Sequence, residues 1–513
     1  MTQRAGFSFP TGALLRLYCQ FESTCVMPPT MEASGRDDSA PLTLAGFEPH
    51  GFFNGEPYRL EADGVIYAVR AGEVVRFGDF DAFVKVPQRA RSWWPLPALL
   101  ALHGVAICIS LIVVQYYYRY LPIVHFEPAM LVRAAVNVLP SLALLPLLAW
   151  WRASFGYALS VYLLTISAGY AWLIPFSTFG YDKDLATLSI LVSSAAFALP
   201  AVCGAFRLPR PRDLSDGAVD RLLTAMIALS GVILLASSTY HFRLVSPFEI
   251  YSYRDAVELP KVLSYGCGIT IGALLPYAFT LFVARGRWRA AVVAALMLVG
   301  FYPVILLKLA LLAPAWLVIL AILLRFASVK TAVVLSLLLP LLVGIASMAP
   351  RLLGFGDGHA TAIFTLINWR MLAVPSISLD VYNDFFSRNP LTAFCQISWL
   401  KPRMSCPYAN QIAEILKQEY QFGMLNASVF ATEGIASLGM IAAPLAAFGC
   451  GLVVAMANAM SRHWPQRYVF LSAGVVLQSF LSVPFSTMLL TNGAATLFLL
   501  WYLTPATYFR RED

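Results

Sequence analysis

The sequence predicts an all-α polytopic membrane protein of about twelve transmembrane helices, with a small β-rich cytoplasmic region at its N-terminus. Three observations carry this. The 513 residues are 59% hydrophobic and only 12% charged, too little polar surface to cover a water-soluble globule. From Leu96 onward, apolar windows long enough to cross a hydrocarbon core of about 30 Å follow one another closely. Basic residues fall on alternate connections between these windows, the pattern that marks one membrane face as cytoplasmic. The formal net charge of +8 is therefore read as membrane orientation, and no nucleic acid is expected as a partner.

Residues 1–92 are the only sizeable soluble-looking part. Within them residues 31–41 have the Ser, Asp and Pro content of a flexible tail. Residues 51–78 alternate short β-type runs with the turn pairs Asn54-Gly55 and Asp63-Gly64. Residues 87–94, with Arg89, Arg91, Trp93 and Trp94, form a basic, aromatic collar that places the region on the cytoplasmic face. The apolar run at the N-terminus is too short and broken for a secretory signal, so the first span is expected to direct insertion.

The spans are expected at 96–117, 129–151, 156–177, 186–206, 221–240, 263–284, 290–307, 309–324, 331–348, 431–460, 468–486 and 488–505. The seventh and eighth are one apolar run split at Pro303, Lys308 and Pro314. Arg152, Arg207, Arg210, Arg212, Arg285, Arg287, Arg289, Arg325, Lys330, Arg462, Arg467, Arg510 and Arg511 share the side of Arg89 and Arg91, so both termini are expected to be cytoplasmic. The domain plan is a tail at 1–92, nine spans within 93–349, an outer loop at 350–430, and three spans with a cytoplasmic end within 431–513.

The loop at 350–430 far exceeds the length a connection needs. Its aromatics and its charges of both signs suit a folded element that binds something. Cys395 and Cys406 both fall in it; a disulfide between them and two free thiols are both open readings. The other six cysteines suit buried small hydrophobes. Eight cysteines with no Cys-x-x-Cys pair and no Cys/His cluster argue against a structural metal or iron–sulfur site. No metal and no cofactor is expected.

The order of several motifs resembles the Wzy-type oligosaccharide repeat-unit polymerases of bacterial O-antigen, capsule and exopolysaccharide synthesis. The pieces are Tyr251-Ser252-Tyr253-Arg254, Leu274-Leu275-Pro276, and the apolar hairpin from Phe301 with Lys308 at its turn. Trp369-Arg370-Met371, Tyr382 to Phe386, Asn389 to Thr392, Tyr408, Asn426 to Ser428 and Glu433 to Gly439 then follow in the family's order. The resemblance covers residues 240–500, and the N-terminal region lies outside it.

The resemblance implies glycosyl transfer at the outer leaflet of a bacterial inner membrane, from one polyprenyl-diphosphate-linked oligosaccharide to another. A flippase and a chain-length regulator are the implied partners, beside membrane lipid. Such chemistry needs cations for the departing diphosphate and a base for the acceptor proton. Arg254, Lys308 and Arg370 are the candidate cations, because an arginine fork matches phosphate oxygens and a cation beside apolar sequence is costly without an anion. The plainer readings are a salt-bridged Arg254 near Asp255 and Glu258, a Lys308 reaching the interface from its turn, and an Arg370 ending a surface helix. Asp384 and Glu433 are the candidate bases. Against them stand loop packing for Asp384 and complementing a helix N-terminus for Glu433. His359, after a Gly-rich run, is a weaker candidate read as a turn residue. Tyr251, Tyr382, Asn383, Tyr408 and Asn426 are expected to contact substrate.

Two other classes fit less of the sequence. A metal-dependent lipid-sugar transferase needs paired acids in its first outer loop, where residues 117–127 offer only Glu127. A transporter or flippase usually carries two related halves with helices broken in matching places, and no such repeat is visible. A glycan ligase shares the polymerase chemistry and stays open.

Overall fold

Inside a hydrocarbon layer no water satisfies backbone amides, so a crossing chain satisfies them itself, as helices. The computed structural model describes residues 95–509 except 205, 207, 210–213, 248, 255–256, 355–357, 398–399 and 426–428, and before residue 95 only strand backbone. Residues 1–91 and 92–513 form two separate units. In the first, β1 (Cys25–Val26), β2 (Gly51–Phe53), β3 (Glu56–Leu60), β4 (Ile66–Arg70) and β5 (Glu73–Phe77) pair antiparallel in sequence order. These short pairings alone do not establish the expected β-rich region as a folded domain.

The second unit is helical, and among the described residues eleven helices are long and apolar enough to cross a membrane. The first nine are α1 (Leu96–Tyr117), α2 (Pro128–Trp150), α3 (Phe155–Phe176), α4 (Lys183–Cys203), α5 (Asp216–Ser238), α6 (Lys261–Ala284), α7 (Trp288–Ile305), α8 (Lys308–Phe326) and α9 (Val329–Arg351). Side-chain oxygens cap several starts: Ser154 for α3, Asp182 for α4, Ser215 for α5 and Ser328 for α9. The apolar run at 290–324 does break in two. Leu306 adopts φ 48° and turns the chain directly into Lys308.

Every residue of α3 from Phe155 to Leu173 is buried, so the bundle packs around it. On the outside, Val132, Val136 and Leu139 of α2 and Leu229, Val232 and Leu235 of α5 are exposed, an apolar surface suited to lipid. Basic residues gather at one end. Arg285 pairs with Asp216, Arg287 with Asp220 at 2.8 Å, and the Lys330 ammonium donates to the Ala149 carbonyl. Arg207, Arg210, Arg212, Arg510 and Arg511, which the sequence assigns to the same face, lie outside the described residues.

Two regions differ from the expected spans. The first is α10 (Thr361–Arg388), a helix of membrane-spanning length inside the stretch read as a loop. Its polar residues, Asn368, Arg370, Asp380, Asn383 and Asp384, kept it from reading as a span. Both ends of α10 meet the same end of the bundle. Thr365 shares a 2.6 Å hydrogen bond with Tyr118, just beyond α1, and Asp380 accepts from Tyr181, just beyond α3. The helix therefore lies across that end, with a π-helical stretch at Thr365–Ala373 where it bends inward. Two glycines let it approach. A Cβ on Gly344 of α9 would lie 1.6 Å from the Asn368 Oδ1, and one on Gly169 of α3 would lie 2.3 Å from the Ser376 Oγ.

After α10, the chain forms α11 (Ile412–Tyr420) and then α12 (Phe430–Ser461), the eleventh long helix. The second difference follows. The expected spans at 468–486 and 488–505 are four short helices: α13 (Gln466–Ser472), α14 (Gly474–Ser479), α15 (Phe485–Leu490) and α16 (Ala494–Leu503). Pro484 and Gly493, at φ 81°, start the last two, because proline lacks the donor a continuous helix needs and glycine accepts the left-handed turn.

Gly344→Val is expected to push Asn368 off its hydrogen bonds and to destabilise the fold by about 1–3 kcal/mol. A thermal melt of the purified variant matching wild type would contradict this packing.

Candidate functional site

The bundle end crossed by α10 gathers most of the residues singled out from sequence. Lys308 opens α8 and Arg370 lies in the π-helical stretch of α10. They are close enough for the Arg370 charge to act on the Lys308 ammonium. Two cations held in mutual reach favour an anion between them. Beside Arg370, the Trp369 ring stacks on Tyr118 at 4.1 Å between centroids and meets the edge of Phe422 at 5.8 Å. The neighbouring Tyr117 ring carries Arg351 at 5.0 Å. Arg351 also donates to the Thr361 hydroxyl at 3.2 Å, tying the end of α9 to the start of α10.

Arg254 is exposed at the close of a single turn, Tyr251–Arg254. The segment before it docks on the end of α7. The Arg243 amide donates to the Pro303 carbonyl at 2.9 Å, and the Tyr302 hydroxyl donates to the Val245 carbonyl at 2.7 Å. Arg254 thus shares the bundle end with Lys308 and Arg370. The Tyr251 side chain, the His359 side chain and Asn426 lie outside the described residues. His359 falls within the helix Gly358–Phe364 rather than in a turn.

Both candidate bases accept hydrogen bonds from protein. The Asp384 Oδ2 accepts from the Arg388 guanidinium and from the Tyr420 hydroxyl, each at 2.6 Å. Arg388 reaches on to Glu419 at 3.3 Å, so this cluster ties α11 to α10. A carboxylate oxygen that accepts a cation and a phenol together is poorly placed to take a proton. Glu433 lies in the π-helical stretch Phe430–Ile435 that opens α12 and is buried. Its Oε1 accepts from both the amide and the hydroxyl of Ser486 at the start of α15, at 3.0 Å each, while its Oε2 is buried without a hydrogen-bond partner among the described residues.

Three expected substrate contacts are packed against protein in this structure. Tyr382 is fully buried and donates to the Leu425 carbonyl at 3.3 Å. Asn383 is buried beside Tyr170. Tyr408 donates to the Pro390 carbonyl at 2.6 Å, with its ring against Phe385 and Phe386, and this burial pushes its phenol up from the ordinary tyrosine value. Cys395 and Cys406 form a disulfide with Cα atoms 5.4 Å apart, closing a ring between α10 and α11.

Sequence reading missed one group. Asp380 is buried and accepts from Tyr181, which lies 199 residues earlier in the chain. The only signal was its spacing, four residues before Asp384 on the same helix face. Among the described residues, no three His, Cys, Asp or Glu side chains are grouped to hold a metal.

The chain matches no family model, no curated protein and no solved structure.

Two outcomes test this geometry. Burial and the Asp384 charge push the Tyr420 phenol well above the ordinary tyrosine value of 10.0. The stability this contributes is whole below about pH 10 and is lost as pH rises further, when the unfolded phenol ionises and the folded one does not. Tyr420→Phe is therefore expected to show a shallower alkaline fall in melting temperature than wild type. Non-reducing mass mapping is expected to recover the Cys395–Cys406 cross-link, and Cys395→Ser to lose about 2–4 kcal/mol of stability.

Proposed function

We propose that the protein lengthens polyprenyl-diphosphate-linked oligosaccharides by glycosyl transfer at the outer leaflet of a bacterial inner membrane, as a metal-independent repeat-unit polymerase. What supports this reading is that Lys308 and Arg370, on separate helices at one end of the bundle, lie within electrostatic range of each other, with Trp369, next to Arg370, stacked on Tyr118. As the bond from the sugar to the diphosphate breaks, negative charge grows on the leaving oxygens. Fixed cations that need no rearrangement stabilise that charge most when water is excluded. The stacked rings and Phe422 offer flat apolar faces of the kind sugar rings pack against.

The sidedness of this reading rests on two observations. A disulfide ring between α10 and α11 suits an oxidising compartment, which supports an orientation with the Lys308–Arg370 end outside the cytoplasm. The basic residues at the opposite end, Arg285, Arg287 and Lys330, suit the cytoplasmic face and with it cytoplasmic termini. The substrates in this reading are two lipid-linked oligosaccharides. A flippase that delivers them and a regulator of chain length are the expected partners.

A second reading has one observation in its favour. The interrupted helices α13 to α16, with buried Glu433 at their edge, resemble the broken helices of lipid or ion transporters. Reconstituted protein that moves a lipid-linked oligosaccharide across a bilayer and never lengthens it would select the transporter.

The polymerase is expected to lengthen its substrate in the presence of EDTA. Arg370→Ala and Lys308→Ala are each expected to lower its rate by about 10²–10³, leaving cells with single repeat units in place of a surface-glycan ladder. Normal ladders from both variants would remove this pair from the site.

A further inference from the structure

Helices α2 and α4 both pack along α3. Their entries lie together, since His125, just before α2, shares a 3.2 Å hydrogen bond with Thr178, just before α4. Between the two helices is a cleft of about 220 Å³. Helical spacing explains what meets there. Arg133, Asn137 and Ser141 recur every four residues on α2, while Asp184, Leu188 and Leu191 fall at i, i+4 and i+7 on α4, so each helix turns one stripe to the other.

At the mouth of the cleft Arg133 and Asp184 stand 3.9 Å apart, with their side chains 59% and 94% exposed. A pair this open is weakly held, so both charges stay available to an outside partner. One turn further along α2, about 6 Å down its axis, comes Asn137. It is half-buried in a membrane-spanning helix, and its amide has no hydrogen-bond partner among the described residues. Hydrocarbon offers an amide nothing, so a polar atom from outside the chain is needed at that depth. Around the cleft Val132, Val136, Leu188 and Val192 are exposed, which opens it to lipid rather than to water.

We propose that this cleft binds one phospholipid whose headgroup carries a phosphate and a primary ammonium. The Arg133 guanidinium donates charge-assisted hydrogen bonds to the phosphate, and the ammonium donates to the Asp184 carboxylate. The Asn137 amide donates to an ester carbonyl beneath the headgroup, and an acyl chain continues along Leu188 and Leu191. Charge, then amide, then hydrocarbon is the order of side chains along the cleft and the order of groups along such a lipid. Asp184 sets the choice. A polyprenyl diphosphate or an anionic phospholipid brings only negative charge to the mouth and is repelled there. A choline headgroup has no N–H to give the carboxylate. None of these residues belongs to the Lys308–Arg370 site, and the inference does not rest on the polymerase reading.

The test is native mass spectrometry of the full-length protein in detergent, titrated separately with phosphatidylethanolamine, phosphatidylglycerol, phosphatidylcholine and a polyprenyl diphosphate. Wild type is expected to hold one phosphatidylethanolamine more tightly than any of the other three. Arg133→Gln is expected to weaken that binding about tenfold to hundredfold, and Asn137→Leu about tenfold. Asp184→Asn is expected to abolish the preference over phosphatidylglycerol, and Asp184→Lys to reverse it. Arg133 and Asp184 are exposed, so their variants are expected to melt with wild type and serve if Asn137→Leu fails to fold. Equal retention of the three phospholipids by wild type would mean general boundary lipid and overturn the proposal. A phosphatidylethanolamine preference that survives both Arg133→Gln and Asp184→Asn would overturn it too. Tighter binding of the polyprenyl diphosphate, lost in Arg133→Gln, would give the cleft to that lipid instead. Because binding is what is read, a protein that lengthens no oligosaccharide would end the polymerase reading and leave this site intact.

Discussion

A helix enclosed along its whole length by other helices can match its polar side chains only against its neighbours, and α3 does this at several positions, while its Tyr157 hydroxyl and Ser160 Oγ are buried without a hydrogen-bond partner among the described residues. Thr165 meets His103 of α1 at 2.9 Å, Tyr162 meets Ser336 of α9 at 2.8 Å, and Ser167 receives Ser194 of α4 at 2.7 Å. Ser376 of α10 donates to the Ile166 carbonyl at 3.3 Å. Each such bond contributes modestly between helices in lipid. Together they fix the rotation and depth of four helices about one axis. The cations and carboxylates of α10 are positioned by that axis, since the helix that carries them is aligned against it.

The same dependence explains the π-helical stretch in α10. Asn368 donates to the Ser110 hydroxyl at 2.8 Å and to the Leu341 carbonyl at 3.1 Å, drawing that turn into the bundle. Trp369 is held against Tyr118 at the rim. Adjacent residues of this stretch thus meet separate partners, and Arg370 follows them in the same π-helical turn.

Much of this was legible in the sequence. The ten spans up to 460, the break between Pro303 and Lys308, and the alternation of basic connections all follow from hydropathy and proline alone. The loop face was legible as a place for function, because its aromatics and charges serve no spanning purpose. What escaped was tertiary. Asn368, Asp380 and Asn383 make α10 read as a loop when counted one by one. Their partners, Ser110, Tyr181 and Tyr170, lie far away in sequence and turn the same polar residues into helix contacts. The cluster of aromatic, amide and acid side chains from Tyr382 to Phe386 reads in sequence as a sugar-binding patch, yet a helix puts adjacent residues in different surroundings. The interruptions in the last two spans were hidden because Pro484 and Gly493 fall inside runs whose mean hydropathy stays high.

That α10 begins and finishes at one end of the bundle bears on how the topology is counted. A segment whose two ends lie at one end of the bundle contributes nothing to the parity of passages. A hydropathy count that scored it as a crossing would invert every connection after it, placing the turn between α12 and α13 in the wrong compartment. Removing the segment, by contrast, would leave the orientation of the C-terminal third unchanged. Such a helix can be gained, lost or reshaped without reversing the insertion of the chain that follows.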